Sequence, residues 1–179
     1  MSKRVLILSG SPRKHGNTDR MADELARGAA EAGHEVEKVF VCDRDIRPCR
    51  GCTACVRNGG TCVMHDDMAY VASRMLAADA IVLASPVYYY TWNAQMKAVL
   101  DRSVAVSSKM RDKTFYLLSA GQAPDESYME PMIEDFRRYI GCFKGSLEGG
   151  YAFAYGVDRP GDVEGTPALG QAYEMGRGL

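Results

Sequence analysis

Two segments of this 179-residue chain carry side chains whose types and spacing could do chemistry, and they sit at residues 9–18 and 49–62. The first reads Ser-Gly-Ser-Pro-Arg-Lys-His-Gly-Asn-Thr, between an apolar run at Val5–Leu8 and a helical pattern. Ser9, Ser11, Thr18 and the Asn17 amide offer hydrogen-bond donors, Gly10 and Gly16 let the backbone curl, and Arg13 adds positive charge beside a helix N-terminus that itself favours anions. The segment predicts an anion cradle, because an ordinary capped turn needs turn residues but not a hydroxyl, amide and guanidinium set. Gly10 and Gly16 do not fit the G-x-G-x-x-G spacing, no acidic residue is placed for a ribose, and Gly16 is not followed by Gly-Lys-Ser/Thr. A monophosphate therefore fits better than a dinucleotide or the triphosphate of a P-loop.

The second segment separates Cys49, Cys52 and Cys55 by two residues each, with six residues between Cys55 and Cys62. A compact C-x-x-C-x-x-C followed by a fourth cysteine has the spacing of a [4Fe-4S] ligand run. Free thiols and a zinc site stay open as alternatives, although zinc more often uses two separated pairs. Cys42 and Cys142 stand beside strand signals and read as small core residues. In His65-Asp66-Asp67, a helix cap at Asp66 and a dipole-complementing charge at Asp67 explain the carboxylates without a metal. His15 reads as a polar loop residue, His34 as a surface residue and Lys14 as solvated surface charge. No G-x-S-x-G elbow occurs, so nothing points to a serine hydrolase.

These segments need a scaffold, and the periodicity supplies one. Short apolar runs at Val5–Leu8, Val36–Val41, Ala80–Ala84, Thr114–Ser119 and Tyr151–Tyr155 read as five strands, the third stopping at Ser85-Pro86. Between them, apolar positions recur at helical spacing: Met21, Ala22, Leu25 and Ala29; Met68, Val71, Ala72 and Met75; Met96, Val99, Leu100 and Val104; Met132, Ile133, Phe136 and Ile140. Thr166-Pro167 opens a last helix with a cap and a first-turn proline. Residues 43–64 show no periodicity and form the longest irregular insertion before the C-terminal region. Strands alternating with helices predict an α/β fold of one domain, residues 1–179. It is a doubly wound five-stranded parallel sheet in the order 2-1-3-4-5, with helices on both faces and the ligand beyond the C-terminal strand ends. The loops after strands one, three and four then meet at one crevice. Tyr88, Tyr89, Tyr90 and Trp92 offer stacking faces there, so a monophosphate with a flat apolar head, flavin mononucleotide, suits the site.

Residues 9–18, Ser85-Pro86-Val87-Tyr88-Tyr89 and Lys97-Ala98-Val99-Leu100-Asp101-Arg102 together resemble the NADPH-dependent FMN reductase family of flavodoxin-like proteins. The resemblance implies that Ser9, Ser11, Arg13, Asn17 and Thr18 hold the FMN phosphate. It also implies that Pro86, Val87, Tyr88 and Tyr89 lie beside the flavin, and that Ser119-Ala120-Gly121 edges its ring, with Ser119 and Gly121 as site residues. The chemistry it implies is flavin-based, with no catalytic side chain: hydride from NAD(P)H, then electrons to a flavin, quinone or other small acceptor. Within the same superfamily the chain also resembles iron-sulfur flavoproteins, which implies the alternative of an electron carrier with a [4Fe-4S] cluster on Cys49, Cys52, Cys55 and Cys62, whose partners are redox proteins. A homodimer or higher homo-oligomer belongs to the same expectation, the aromatic stretch at 88–92 being suited equally to stacking and to closure by a partner subunit.

Composition sets the outer bounds. A hydrophobic fraction of 46% and a charged fraction of 25% fit a globular chain with a real core. A net charge of -1 and a pI near 6.3 argue against nucleic acid as a partner. No run is long enough to span a bilayer, and Met1-Ser-Lys-Arg leads directly into a strand, so a cytoplasmic protein is expected. There, six cysteines read as thiols or metal ligands and not as a disulfide framework.

Overall fold

The computed structural model describes all residues from Met1 to Leu179. Its strands are β1 (Arg4–Ser9), β2 (Glu35–Phe40), β3 (Ala80–Tyr88), β4 (Thr91–Trp92), β5 (Thr114–Ala120) and β6 (Leu147–Ala154), and its helices are α1 (Asn17–Glu31), α2 (Ala54–Arg57), α3 (Met68–Ala77), α4 (Ala94–Arg102), α5 (Glu130–Gly141) and α6 (Ala168–Arg177). The long strands pair in parallel in the order β2-β1-β3-β5-β6, which is the expected 2-1-3-4-5 arrangement. The period-two alternation of each strand sends side chains to two cores. Leu6, Leu8, Ile81, Leu83, Phe115 and Leu117 pack with α3, α4 and α5 on one face, while Val5, Ile7, Val82, Ala84 and Leu118 pack with α1 and α6 on the other. Helices α1 and α6 approach so closely that a Cβ on Gly28 would lie 2.2 Å from the Tyr173 carbonyl oxygen, so glycine is required at the crossing.

Several boundaries depart from the sequence reading. Strand β3 does not stop at Ser85-Pro86: Ser85 and Pro86 stay in register with Ser119 and Ala120 of β5, and the strand then turns back in a two-residue hairpin onto β4. Tyr89 and Tyr90 form that turn with φ of +47° and +70°, a left-handed pair that normally calls for Asn-Gly. Trp92, expected as a stacking face, points inward and is buried in the core. Val104 falls beyond α4, in a short 3-10 turn, and is exposed. Strand β6 begins four residues before the expected Tyr151, at the exposed Leu147, because Gly149 lets its backbone lie against the Tyr116 ring, where a Cβ would come within 2.2 Å. Cys142 is exposed after the end of α5 and not in the core, whereas Cys42 is half-buried and its thiol donates toward the Ser11 carbonyl at 3.3 Å. No helix is long and apolar enough to cross a membrane.

Candidate functional site

At the C-terminal ends of the parallel strands a cleft of about 340 Å³ opens. Its lining comes from four loops: Ser11, Pro12, Arg13, Gly16, Asn17 and Thr18 after β1; Pro86, Val87, Tyr88 and Tyr89 at the end of β3; Ala120, Gly121 and Gln122 after β5; and Val157 and Asp158 after β6. The volume lies within the range of small-ligand sites.

The floor of the cleft is the N-terminus of α1. Gly16 occupies the cap position without a side-chain cap, and the first backbone bond of the helix runs from the Arg20 N–H to the Gly16 carbonyl. The Asn17, Thr18 and Asp19 amides therefore have no partner within the protein. Thr18 is 2% exposed, lines the cleft and finds no hydrogen-bond partner for its hydroxyl. Free amides, an aligned helix dipole and an idle hydroxyl form a donor set for an anion. The loop that carries them is fixed from behind. Asp19 accepts from the Ser9 hydroxyl at 2.7 Å and the His15 amide at 2.9 Å, and its carboxylate lies 2.7 Å from the Lys38 ammonium. Burial would raise the Asp19 pKa, but the Lys38, Ser9 and His15 contacts outweigh it and hold the carboxyl below its usual range.

Of the residues expected to form this site, Ser11, Arg13, Asn17, Thr18, Pro86, Val87, Tyr88, Tyr89 and Gly121 line the cleft. Ser9 and Ser119 do not. Both are fully buried, Ser9 bonded to Asp19 and Ser119 donating to the Ser85 carbonyl at 2.6 Å, so each braces a loop from inside the sheet. Sequence reasoning missed Asn93, which caps α4 by accepting from the Met96 amide at 3.3 Å and the Ser85 hydroxyl at 3.0 Å, while its amide donates to the Gly10 carbonyl. That one buried side chain ties the loop after β1 to the end of β3. The segment after β6 also joins the site, folding onto its own chain: Arg13 donates to the Asp158 carbonyl at 2.8 Å and Asn17 to the Arg159 carbonyl at 3.0 Å.

A second, smaller pocket gathers Cys49, Cys52, Cys55 and Cys62, with Val63, Met64, Val104 and Ala105 as apolar lining. All four are free thiols. The only three His, Cys, Asp or Glu ligand atoms within 4.8 Å of one another anywhere belong to His15, Asp19 and Asp23. Zinc–sulfur bonds of about 2.3 Å would bring tetrahedral thiolates closer than that, a spacing to which no three of the cysteine sulfurs are gathered. The His15 group itself is already served by Lys38, whose ammonium lies 2.7 Å from Asp19 and 2.6 Å from Asp23. Beside Cys62 lies a buried ion pair between Arg102 and Asp66. Arg102 donates to the Cys62 sulfur at 3.3 Å, and Asp66 also accepts from the Met68 amide at 3.2 Å, although the cap position of α3 falls on Asp67 and not on Asp66 as expected. Burial would raise the Cys62 thiol, but the Met64 amide and Arg102 hold it below its ordinary value.

Comparison with known proteins agrees with this geometry. The iron-sulfur flavoprotein of Archaeoglobus fulgidus is 36% identical over 181 residues, covering 97% of this chain and 77% of that protein. One from Methanosarcina thermophila is 39% identical over 121 residues, 66% of this chain and 63% of that protein. Among solved structures, the NAD(P)H:quinone oxidoreductase from Methanothermobacter marburgensis shares the fold, with a TM-score of 0.83 at 20% identity over 100% of this chain and 96% of that one. The NADPH-dependent FMN reductase family matches residues 3–129, most of the sheet and three of the four cleft loops, and the chain accordingly belongs to this family of oxidoreductases.

Proposed function

We propose that the protein is a single flavodoxin-like domain that binds FMN in the four-loop cleft and acts as an FMN-dependent oxidoreductase with NAD(P)H as hydride donor. The observation that carries this reading is the uncapped N-terminus of α1, whose idle amides and Thr18 hydroxyl face the cleft. In this reading those donors and Arg13 hold the phosphate, and Ser11 shapes the loop by accepting from the Arg13 amide at 3.2 Å. Pro86, Val87, Tyr88 and Tyr89 wall the flat ring, and Gly121, where a Cβ would meet Val87 at 3.3 Å, lets the loop after β5 pack against that wall. FMN bound there supplies the acceptance of hydride from a reduced nicotinamide and the onward delivery of electrons, so no side chain need act as nucleophile or base. The acceptor is a flavin, a quinone or another small electrophile.

A second reading is favoured by the collection of all four cysteines into one apolar-lined pocket. Here Cys49, Cys52, Cys55 and Cys62 hold a [4Fe-4S] cluster, which supplies one-electron transfer, and redox proteins replace small acceptors as partners. The lowered Cys62 pKa and the neighbouring Arg102 suit such an anionic centre. Anaerobic purification with flavin, iron and sulfide assays separates the two. A yellow, iron-free protein bleached by NADPH supports the reductase. About four irons per chain support the carrier. A protein that takes up no FMN sinks both.

Arg13→Ala should weaken FMN retention well beyond its effect on stability, since its guanidinium is exposed and makes a single bond to the protein, to Asp158. Unchanged FMN affinity in this variant would remove Arg13 from the phosphate site.

A further inference from the structure

Arg102 is the one side chain in the protein with a buried polar nitrogen that has no partner, its Nε. The side chain is 1% exposed and the facing Asp66 carboxylate 0%. One guanidinium nitrogen is satisfied by Asp66 and by the Arg47 carbonyl at 3.1 Å, and the other donates to the Cys62 sulfur at 3.3 Å. A residue kept only to tie α4 to the cysteine segment would not leave a charged donor stranded, because an unpaired buried N–H is costly. Arg102 also lines the pocket formed by the four cysteines. A buried cation, a donor already on one thiol and a spare donor thus meet in one place.

We propose that Arg102 is a positioning residue for an anionic iron-sulfur group in the cysteine pocket, setting its reduction potential through charge and N–H donation to sulfur. The proposal rests on the cluster reading above. Reduction adds one electron to a centre that is already negative. A nearby buried positive charge stabilises the added charge, and N–H bonds to sulfur withdraw density from the ligands, so both raise the potential. Asp66 works against Arg102 by partly neutralising it. The two partners of one ion pair should therefore shift the potential in opposite directions, which loss of a merely structural contact would not do.

The test is a dithionite titration of anaerobically purified protein, followed by electron paramagnetic resonance, with iron and sulfide counted in each variant. Arg102→Gln should lower the oxidised-to-reduced balance point by about tenfold, or 59 mV for one electron. Arg102→Lys, which keeps the charge and loses the fork, should fall between Gln and the parent. Asp66→Asn should move the potential upward. Should Arg102→Gln prove too unstable to purify, the Lys and Asn variants carry the same opposed signs. A cluster-bearing protein whose potential is unmoved in these variants, or moves the same way in both, overturns the role of Arg102 while leaving the cluster reading intact. Absence of iron and sulfide from the anaerobically purified parent overturns both.

Discussion

The cleft and the cysteine pocket are built by opposite means. The cleft is assembled from four loops, each leaving a strand of one hydrogen-bonded sheet, and is braced by dispersed buried bonds through Ser9, Ser85, Asn93 and Ser119. No single contact holds it. The cysteine pocket lies in an irregular segment whose only regular element is the one-turn helix α2, where Thr53 and Gly51 take positive φ. Its buried polar connection to the core is one pair, Arg102 with Asp66, and the Arg47 and Cys62 contacts around it, with an exposed bond from Lys109 to the Gly59 carbonyl beside them. A site on a sheet inherits its geometry from many weak constraints. A site on a loop depends on a few strong ones, and its failure is correspondingly abrupt.

The sharpest way to break that contrast is to cut the pair. Removing one member of a buried ion pair leaves an uncompensated charge, so Asp66→Ala should cost about 3–5 kcal/mol in urea denaturation. An apolar replacement of both partners, Asp66→Leu with Arg102→Met, should recover most of that stability, because the desolvation penalty disappears with the charges. FMN affinity should survive in the double variant. If flavin binding falls with it, the two regions are not independent and the comparison fails.

The converse cut is smaller and aims at the cleft. Thr18→Val preserves shape but deletes the hydroxyl, and a hydrogen bond to a charged group contributes about 1.5–3 kcal/mol. Roughly a ten- to hundredfold rise in the FMN dissociation constant should follow, read by flavin fluorescence, with a change in unfolding free energy below about 1 kcal/mol. An equal loss in stability would show that Thr18 serves the fold and not the ligand.

The same contrast governs what could be read from the sequence. The sheet order was legible because five apolar runs alternate with helical stripes, and only one handedness of crossover packs them. The cleft was legible for the residues a strand-to-helix loop must present, Ser11, Arg13, Asn17 and Thr18. Ser9 and Ser119 were misplaced because both still belong to strands, β1 and β5, and their hydroxyls are taken up within the sheet by Asp19 and the Ser85 carbonyl before the chain reaches the cleft. Arg102 left a visible trace that went unread. It falls three residues after Val99 on the stripe of Met96 and Val99, where a charge has no place unless something buried answers it. Asp66, thirty-six positions away, is that answer, and no periodicity links the two. Asn93 escaped because its role depends on contacts made only once the sheet has closed.

A finer test concerns the hairpin that supplies the aromatic wall. Left-handed backbone costs a non-glycine residue about 1–2 kcal/mol, and Tyr89 and Tyr90 both adopt it. Tyr89 is 97% exposed, so packing does not repay that cost. Tyr89→Asn with Tyr90→Gly should raise stability by about 1–2 kcal/mol in urea while weakening FMN binding, since Asn-Gly suits the turn but offers the ring no face. A variant that gains stability and keeps its flavin affinity would remove Tyr89 from the cleft's working surface.

The smallest expected effect separates support from contact within the cleft. The Asp19 carboxylate is not part of the lining, yet it holds β1, the loop and β2 together through Ser9, His15 and Lys38. Because its folded pKa lies below its unfolded value, its stabilising contribution is complete above the ordinary carboxylate range and disappears as pH falls through the folded value. Asp19→Asn abolishes that titration, so the acid limb of the unfolding curve should become shallower below about pH 4, with the plateau at neutral pH lowered. Flavin retention should follow the same limb, since the amides that face the cleft stay aligned only while the carboxylate holds the loop. If acid releases FMN from Asp19→Asn and parent over the same pH range, the loop is kept in place by the sheet alone, and the cleft is even less dependent on any one residue than the cysteine pocket is.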